Sequence, residues 1–190
     1  PPPPPPQFFF PPQYSIPAAQ EARGLGDVYK RQLLATVGAE INRAMDDSST
    51  PLYIASQMGH EKVVELLATA GAEINRTLED GMTPLYVASQ NGHREVVKYL
   101  AAVGADINRD CKGGVTPIYI ASQQGHEKVV EYLAALGAEV NRATNVGGTP
   151  LFIASHNGHD RVVENLTIAG AEINCSMNDG TTPLYLASQN

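Results

Sequence analysis

Residues 50–75 read TPLYIASQMGHEKVVELLATAGAEIN, and residues 83–108 read TPLYVASQNGHREVVKYLAAVGADIN. The second stretch is the first moved along by 33 residues with its framework kept. The same shift recurs through the chain. Pro51, Pro84, Pro117, Pro150 and Pro183 share one offset, and Gly38, Gly71, Gly104, Gly137 and Gly170 a second. Asn42, Asn75, Asn108, Asn141 and Asn174 share a third. A fixed period of this length marks a repeat architecture in which each unit is one supersecondary element. The units run 43–75, 76–108, 109–141 and 142–174, with partial units at 33–42 and 175–190.

Each unit reads as two short helices and a turn. Thr50 offers an N-cap hydroxyl, and Pro51 stands at the first helical position, where a missing N–H costs nothing. The spacing predicts a first helix from about Pro51 to Met58, stopped by Gly59. A second helix is predicted from about Glu61 to Ala70, with Val63, Val64 and Leu67 at helical spacing and Gly71 after it. Asp80-Gly81 signals a tight turn before the next unit. One such unit cannot bury its apolar face alone, whereas stacked units share one elongated core. Leu67, Leu100, Leu133 and Leu166 are expected to line it.

These units resemble ankyrin repeats, whose pattern includes T-P-L-H-x-A at this period. The matching segments are Thr50 to Ala55, Thr83 to Ala88, Thr116 to Ala121, Thr149 to Ala154 and Thr182 to Ala187. Gly59-His60 with Val63-Val64 recurs as Gly92-His93 with Val96-Val97, Gly125-His126 with Val129-Val130, and Gly158-His159 with Val162-Val163. The resemblance covers Leu33 to Asn190. It implies an all-α solenoid of stacked helix-turn-helix units with projecting β-turn or hairpin fingers.

Two departures stand out. Tyr53, Tyr86, Tyr119, Phe152 and Tyr185 replace the family's His after Thr-Pro-Leu, which ties loop to helix by hydrogen bonds. Phe152 can make no such bond, so ring packing is expected to take its place. The turn glycine of Gly81, Gly114, Gly147 and Gly180 is Ser48 in the first full unit, which predicts a strained or altered first finger.

Composition narrows the function classes. The 190 residues carry a net charge of -7, which argues against nucleic acid and against polybasic attachment to anionic membranes. No apolar run approaches the roughly 18 residues needed to span a bilayer. Cys111 and Cys175 fall at different offsets of non-adjacent units, too far apart for a disulfide. A reducing compartment follows, the cytoplasm first and the nucleus as the alternative.

The two ends break the pattern. Residues 1–32 share nothing with the repeats, and Val63-Val64 shifted back by one unit fall on Lys30-Arg31. Pro1 to Pro6 and Pro11-Pro12 suit a polyproline II arm for profilin-like or SH3-like partners. The preferred expectation is a disordered or foreign segment, because Asp27 to Gln32 resembles a translated sequencing adaptor. At the other end, the chain stops at Asn190 before the second helix of its unit, so it reads as a piece of a longer array.

Comparison of units within the chain points to a contact surface. Variation concentrates just before each Thr-Pro, at Asp46, Asp47 and Ser49, at Glu79, Asp80 and Met82, at Lys112 and Val115, and at Asn145 and Val146. By resemblance, ankyrin proteins bind partners with these fingertips and with the exposed face of the first helix. That face maps to Gln57, Met58, Gln90, Asn91, Gln123, Gln124, His156 and Asn157. Acidic fingers favour a basic or polar partner segment, and Met82, Val115 and Val146 are the expected exposed apolar anchors.

Catalytic chemistry finds no support in the motifs. His60, His93, His126 and His159 recur at one offset, roughly a helix-packing distance of 10 Å apart, too wide for shared metal ligation. They read as turn residues that start the second helix. His156 and His159 lack third and fourth ligands. Gly113-Gly114 and Gly147-Gly148 are turn glycines rather than a phosphate loop, and no nucleophile has a base at motif spacing. Glu61, Glu65, Glu131 and Glu164 beside Lys62, Lys98, Lys128 and Arg161 read as a solvated helix face. Asn165-Leu166-Thr167 and Asn174-Cys175-Ser176 match the glycosylation pattern, read as chance without a secretory signal.

The sequence therefore predicts a monomeric, non-catalytic module without metal or cofactor that binds a protein or peptide. The alternatives are the targeting region of a larger enzyme, such as a kinase or ubiquitin-ligase subunit, and a structural spacer.

Overall fold

Thr50 accepts a hydrogen bond on Oγ1 from the backbone N–H of Tyr53 at 3.2 Å, and the same cap recurs from Tyr86 to Thr83, Tyr119 to Thr116 and Phe152 to Thr149. Each cap, with the proline behind it, starts an inner helix. The computed structural model describes residues 41–45, 48–175 and 178. The expectations for residues 1–32, for the partial unit 33–42 up to residue 40, and for the last unit beyond 178 lie outside the described residues, as do Asp46 and Asp47.

Among the described residues there are eight helices in four pairs. The inner helices are α1 (Pro51–Gln57), α3 (Pro84–Gln90), α5 (Pro117–Gln123) and α7 (Pro150–His156). The outer helices are α2 (Glu61–Thr69), α4 (Arg94–Ala102), α6 (Glu127–Ala135) and α8 (Asp160–Ile168). The predicted helices over-ran by one residue each, since Met58 and Ala70 are C-caps. Each inner helix packs on its own outer helix and on the inner helices of neighbouring units, and consecutive outer helices also touch. Contacts run along the stack, so no unit closes a core by itself.

That core is one continuous cluster. Leu52, Leu85, Ile118 and Leu151 from the inner helices meet Val64, Val97 and Val130 from the outer ones, all at most 2% exposed. Leu100, Leu133 and Leu166 are fully buried as expected, while Leu67 is only partly buried against the cluster. Val63 is 44% exposed, whereas its counterparts Val96, Val129 and Val162 are 1% exposed. Ser56, Ser89 and Ser122 are buried too, and each hydroxyl donates to the carbonyl four residues back, so none of these three hydroxyls is stranded.

Two sets of bonds stitch one unit to the next. Asn42, Asn75, Asn108 and Asn141 each accept on Oδ1 from the backbone N–H of Glu73, Asp106, Glu139 and Glu172 respectively, at 2.8 to 3.0 Å. The Nε2 of His93, His126 and His159 lies 2.8 to 3.0 Å from the carbonyl oxygens of Gln57, Gln90 and Gln123. The histidines do sit just before the outer helices, but they make no side-chain cap there. Their task is to tether the preceding inner helix.

Candidate functional site: the fingers and the inner-helix face

The described fingers, before Thr83, Thr116 and Thr149, are three-residue hairpins. The N–H of Leu78 donates to the carbonyl of Met82 at 3.0 Å, and the N–H of Gly81 to the carbonyl of Leu78 at 3.0 Å. Cys111 with Val115, Thr144 with Gly148 and Met45 with Ser49 repeat the closure. This hairpin needs a left-handed residue at its third position. Gly81, Gly114 and Gly147 supply it at φ of 87, 77 and 90°. Ser48 adopts φ of 67° in the first finger, so the strain expected there is present.

The fingers are also joined to one another through the backbone. Lys112 N–H donates to Asp80 O at 2.8 Å, Asn145 N–H to Gly113 O at 2.8 Å, and Asn178 N–H to Val146 O at 3.3 Å. From the second finger onward the tips thus form a hydrogen-bonded row, bonded in the same register from unit to unit. Their spacing is set by backbone atoms and is independent of which side chains the tips carry.

The candidate residues divide by exposure. Glu79, Lys112, Asn145 and Val146 are exposed at the fingers, and Val146 reaches 59%. Gln57, Met58, Asn91, Gln124, His156 and Asn157 are exposed at the ends of the inner helices. Gln90 and Gln123 are half-buried, and their carbonyls are already taken by His126 and His159. Asp80 is half-buried and turns its carboxylate back onto the N–H of Met82 at 3.1 Å.

Three candidates are less exposed than expected. Ser49 is only 2% exposed and cannot present its side chain to a partner. Met82 and Val115 are half-buried and are not exposed anchors. The reason is common to all three. Each is the residue whose carbonyl closes its hairpin, immediately before the threonine cap, so the chain there has turned back toward the helices. At the equivalent Gly148, an added Cβ would come within 3.3 Å of the Tyr119 hydroxyl.

An exposed apolar residue that sequence reasoning did not single out is Ile54, 36% exposed, with Met58 at 59%. Ile54, Gln57 and Met58 stand at i, i+3 and i+4 and share one helix face. That spacing could have revealed them, but the equivalents Val87 and Ile120 are 1% and 5% exposed, so the periodic framework hides the exception.

Among the described residues, the aromatic rings of Tyr53, Tyr86, Tyr119 and Phe152 follow the Thr-Pro start of each inner helix. Tyr53, Tyr86 and Phe152 are 5 to 7% exposed, so a phenyl ring fills the position without a hydroxyl. Burial, followed by a hydrogen bond with Cys111, pushes the Tyr86 phenol well above its ordinary pKa, and burial raises Tyr119 as well. Cys111 and Cys175 are free thiols. Among the described residues no group of three His, Cys, Asp or Glu side chains is placed to hold a metal ion, and no helix is long and apolar enough to cross a membrane.

Paired antiparallel helices stacked in series with a bonded row of hairpin tips define a helical repeat solenoid. Family models agree: residues 71–144 match ankyrin repeats in three copies, and residues 47–77 and 146–178 match the single ankyrin repeat. The chain belongs to the ankyrin repeat family. Such repeats are generally non-catalytic protein–protein interaction modules. A comparison with curated proteins finds no match.

Proposed function

We propose that this chain captures one protein or peptide partner across its fingertips and inner-helix ends, with Met58 and Ile54 as apolar anchors at one end and Val146 at the other. The observation that carries this reading is the backbone-bonded row of fingers, which holds exposed side chains at fixed positions before a partner arrives. Preorganisation of this kind lowers the ordering cost of association. Glu79 near one end and Lys112 in the middle give the row a charge pattern that selects polarity along the partner.

The test is capture by the full chain, followed by comparison of two variant sets. Met58→Asp with Val146→Asp, and Glu79→Arg, are expected to release a retained partner. Lys62→Glu and Arg161→Glu on the outer helices are expected to keep it. The reverse pattern would move the contact to the outer face and overturn the proposal.

A further inference from the structure

We propose that the cleft at the foot of the last described finger receives an arginine side chain from a partner protein. The template lies one unit earlier in the same molecule. Arg142 reaches back with Nη1 to the carbonyl of Asn108 at 3.2 Å and to Glu139 Oε2 at 3.3 Å, and with Nη2 to Asp110 Oδ1 at 3.1 Å. Three acceptors on adjoining loops thus hold one guanidinium, whose rigid fork of donors suits several acceptors at once.

Moved forward by one unit, Asn108, Asp110 and Glu139 become Asn141, Ala143 and Glu172, and Arg142 becomes Cys175. Arg43, Arg76, Arg109 and Arg142 all hold this offset, and Cys175 breaks the row. The shorter side chain leaves an open cleft of about 680 Å³, lined by Asn141, Ala143, Thr149, Glu172, Cys175 and Asn178 among others.

Two of the three acceptors that hold Arg142 are therefore still in place without their guanidinium. Glu73 and Glu139 each pair with the arginine three residues on. Glu172 pairs with no cation among the described residues, and its carboxylate accepts only from the Cys175 thiol, at 3.2 Å. A thiol is a weak donor, readily displaced by a charged one. The Asn141 carbonyl, in the place of the one that receives Arg142, accepts from no described donor. Ala143 removes the third acceptor and widens the entrance. The site is thus built for a planar cation with several donors, and arginine fits it better than lysine. The net charge of -7 also draws a basic partner toward it.

The cleft adjoins the fingertip row at Gly147 and Asn178, but the amino-acid probe and Glu172→Gln test it without Met58, Glu79 or Val146, so the two proposals fail independently. The test uses the full chain and N-acetyl-arginine methylamide as the probe, followed by the amide resonances of Asn141, Glu172 and Cys175. Saturable shifts confined to these residues are expected. N-acetyl-citrulline methylamide, equal in shape and uncharged, is expected to bind about tenfold more weakly, the scale of a charge-assisted hydrogen bond. Glu172→Gln should produce a similar loss, and Cys175→Arg should fill the cleft from within and abolish the shifts. Equal binding of citrulline, unchanged affinity in Glu172→Gln, or shifts spread evenly over the other surface carboxylates would overturn the assignment. If Cys175→Arg does not fold, the citrulline and Glu172→Gln arms still decide.

Discussion

The Nε2 of His126 lies 2.8 Å from the carbonyl oxygen of Gln90, the last residue of α3. A carbonyl only accepts, so the proton of the imidazole sits on Nε2 in this bond. The ring also covers Gly92, where a Cβ would approach Nδ1 to 2.6 Å. His126→Ala is expected to cost about 1–2 kcal/mol, a hydrogen bond plus some packing. Gly92→Ala combines that collision with a φ of 74° and is expected to cost roughly 1–3 kcal/mol. Urea unfolding of the double variant should show a loss smaller than the sum, by about 0.5 kcal/mol or more, because removal of the ring makes room for the methyl group. Strict additivity would mean that ring and glycine do not constrain each other.

Ser48 carries the positive φ that glycine takes in the later fingers. Ser48→Gly should stabilise the chain by about 1 kcal/mol, since an L side chain in this region is strained by that order. Ser48→Val should do the opposite. Urea midpoints measure both, and an unchanged midpoint in Ser48→Gly would show that the first finger stores no strain.

Leu133 is fully buried between units, whereas Leu67 at the equivalent position is only partly so. Leu133→Ala is expected to cost about 2–5 kcal/mol, and Leu67→Ala clearly less. Equal losses would contradict the difference in burial between the two leucines.

The Tyr86 phenol is held above its ordinary value by burial, with Cys111 raised beside it. A raised acid is favoured neutral in the fold. Its contribution to stability is whole below the ordinary tyrosine pKa of about 10 and fades as pH climbs through the folded value. The melting temperature should therefore fall on going from about pH 9 to about pH 11. Tyr86→Phe should flatten that slope without unfolding the chain, as the buried Phe152 indicates. A slope unchanged in Tyr86→Phe would place the alkaline sensitivity elsewhere. Tyr119, raised by its own burial, leaves a residual slope.

The helices were legible because their signals are local: a Thr-Pro start, a glycine stop, and valines at helical spacing. The strain at Ser48 was legible because one unit broke a column that the others kept. The bonds between units were not. His126 and Gln90 stand 36 residues apart, and the acceptor is a backbone carbonyl, which carries no residue signature. Side-chain exposure at the fingers was only half legible. Variation marked the tips, but Ser49, Met82 and Val115 vary at a position whose chain has already turned inward.

His93, His126 and His159 each find a carbonyl 36 residues back, and Asn42, Asn75, Asn108 and Asn141 each find an amide 31 residues on. Both intervals cross one boundary between units, and both are the same at every boundary described. A whole unit copied in tandem therefore arrives with a donor for the neighbour behind it and an acceptor for the neighbour ahead. Nothing new has to be invented for the array to lengthen. A stray insertion of one or two residues has no such provision, because it puts two sets of tethers out of step at once. Growth and loss in such a chain are quantised by the geometry of its own joints.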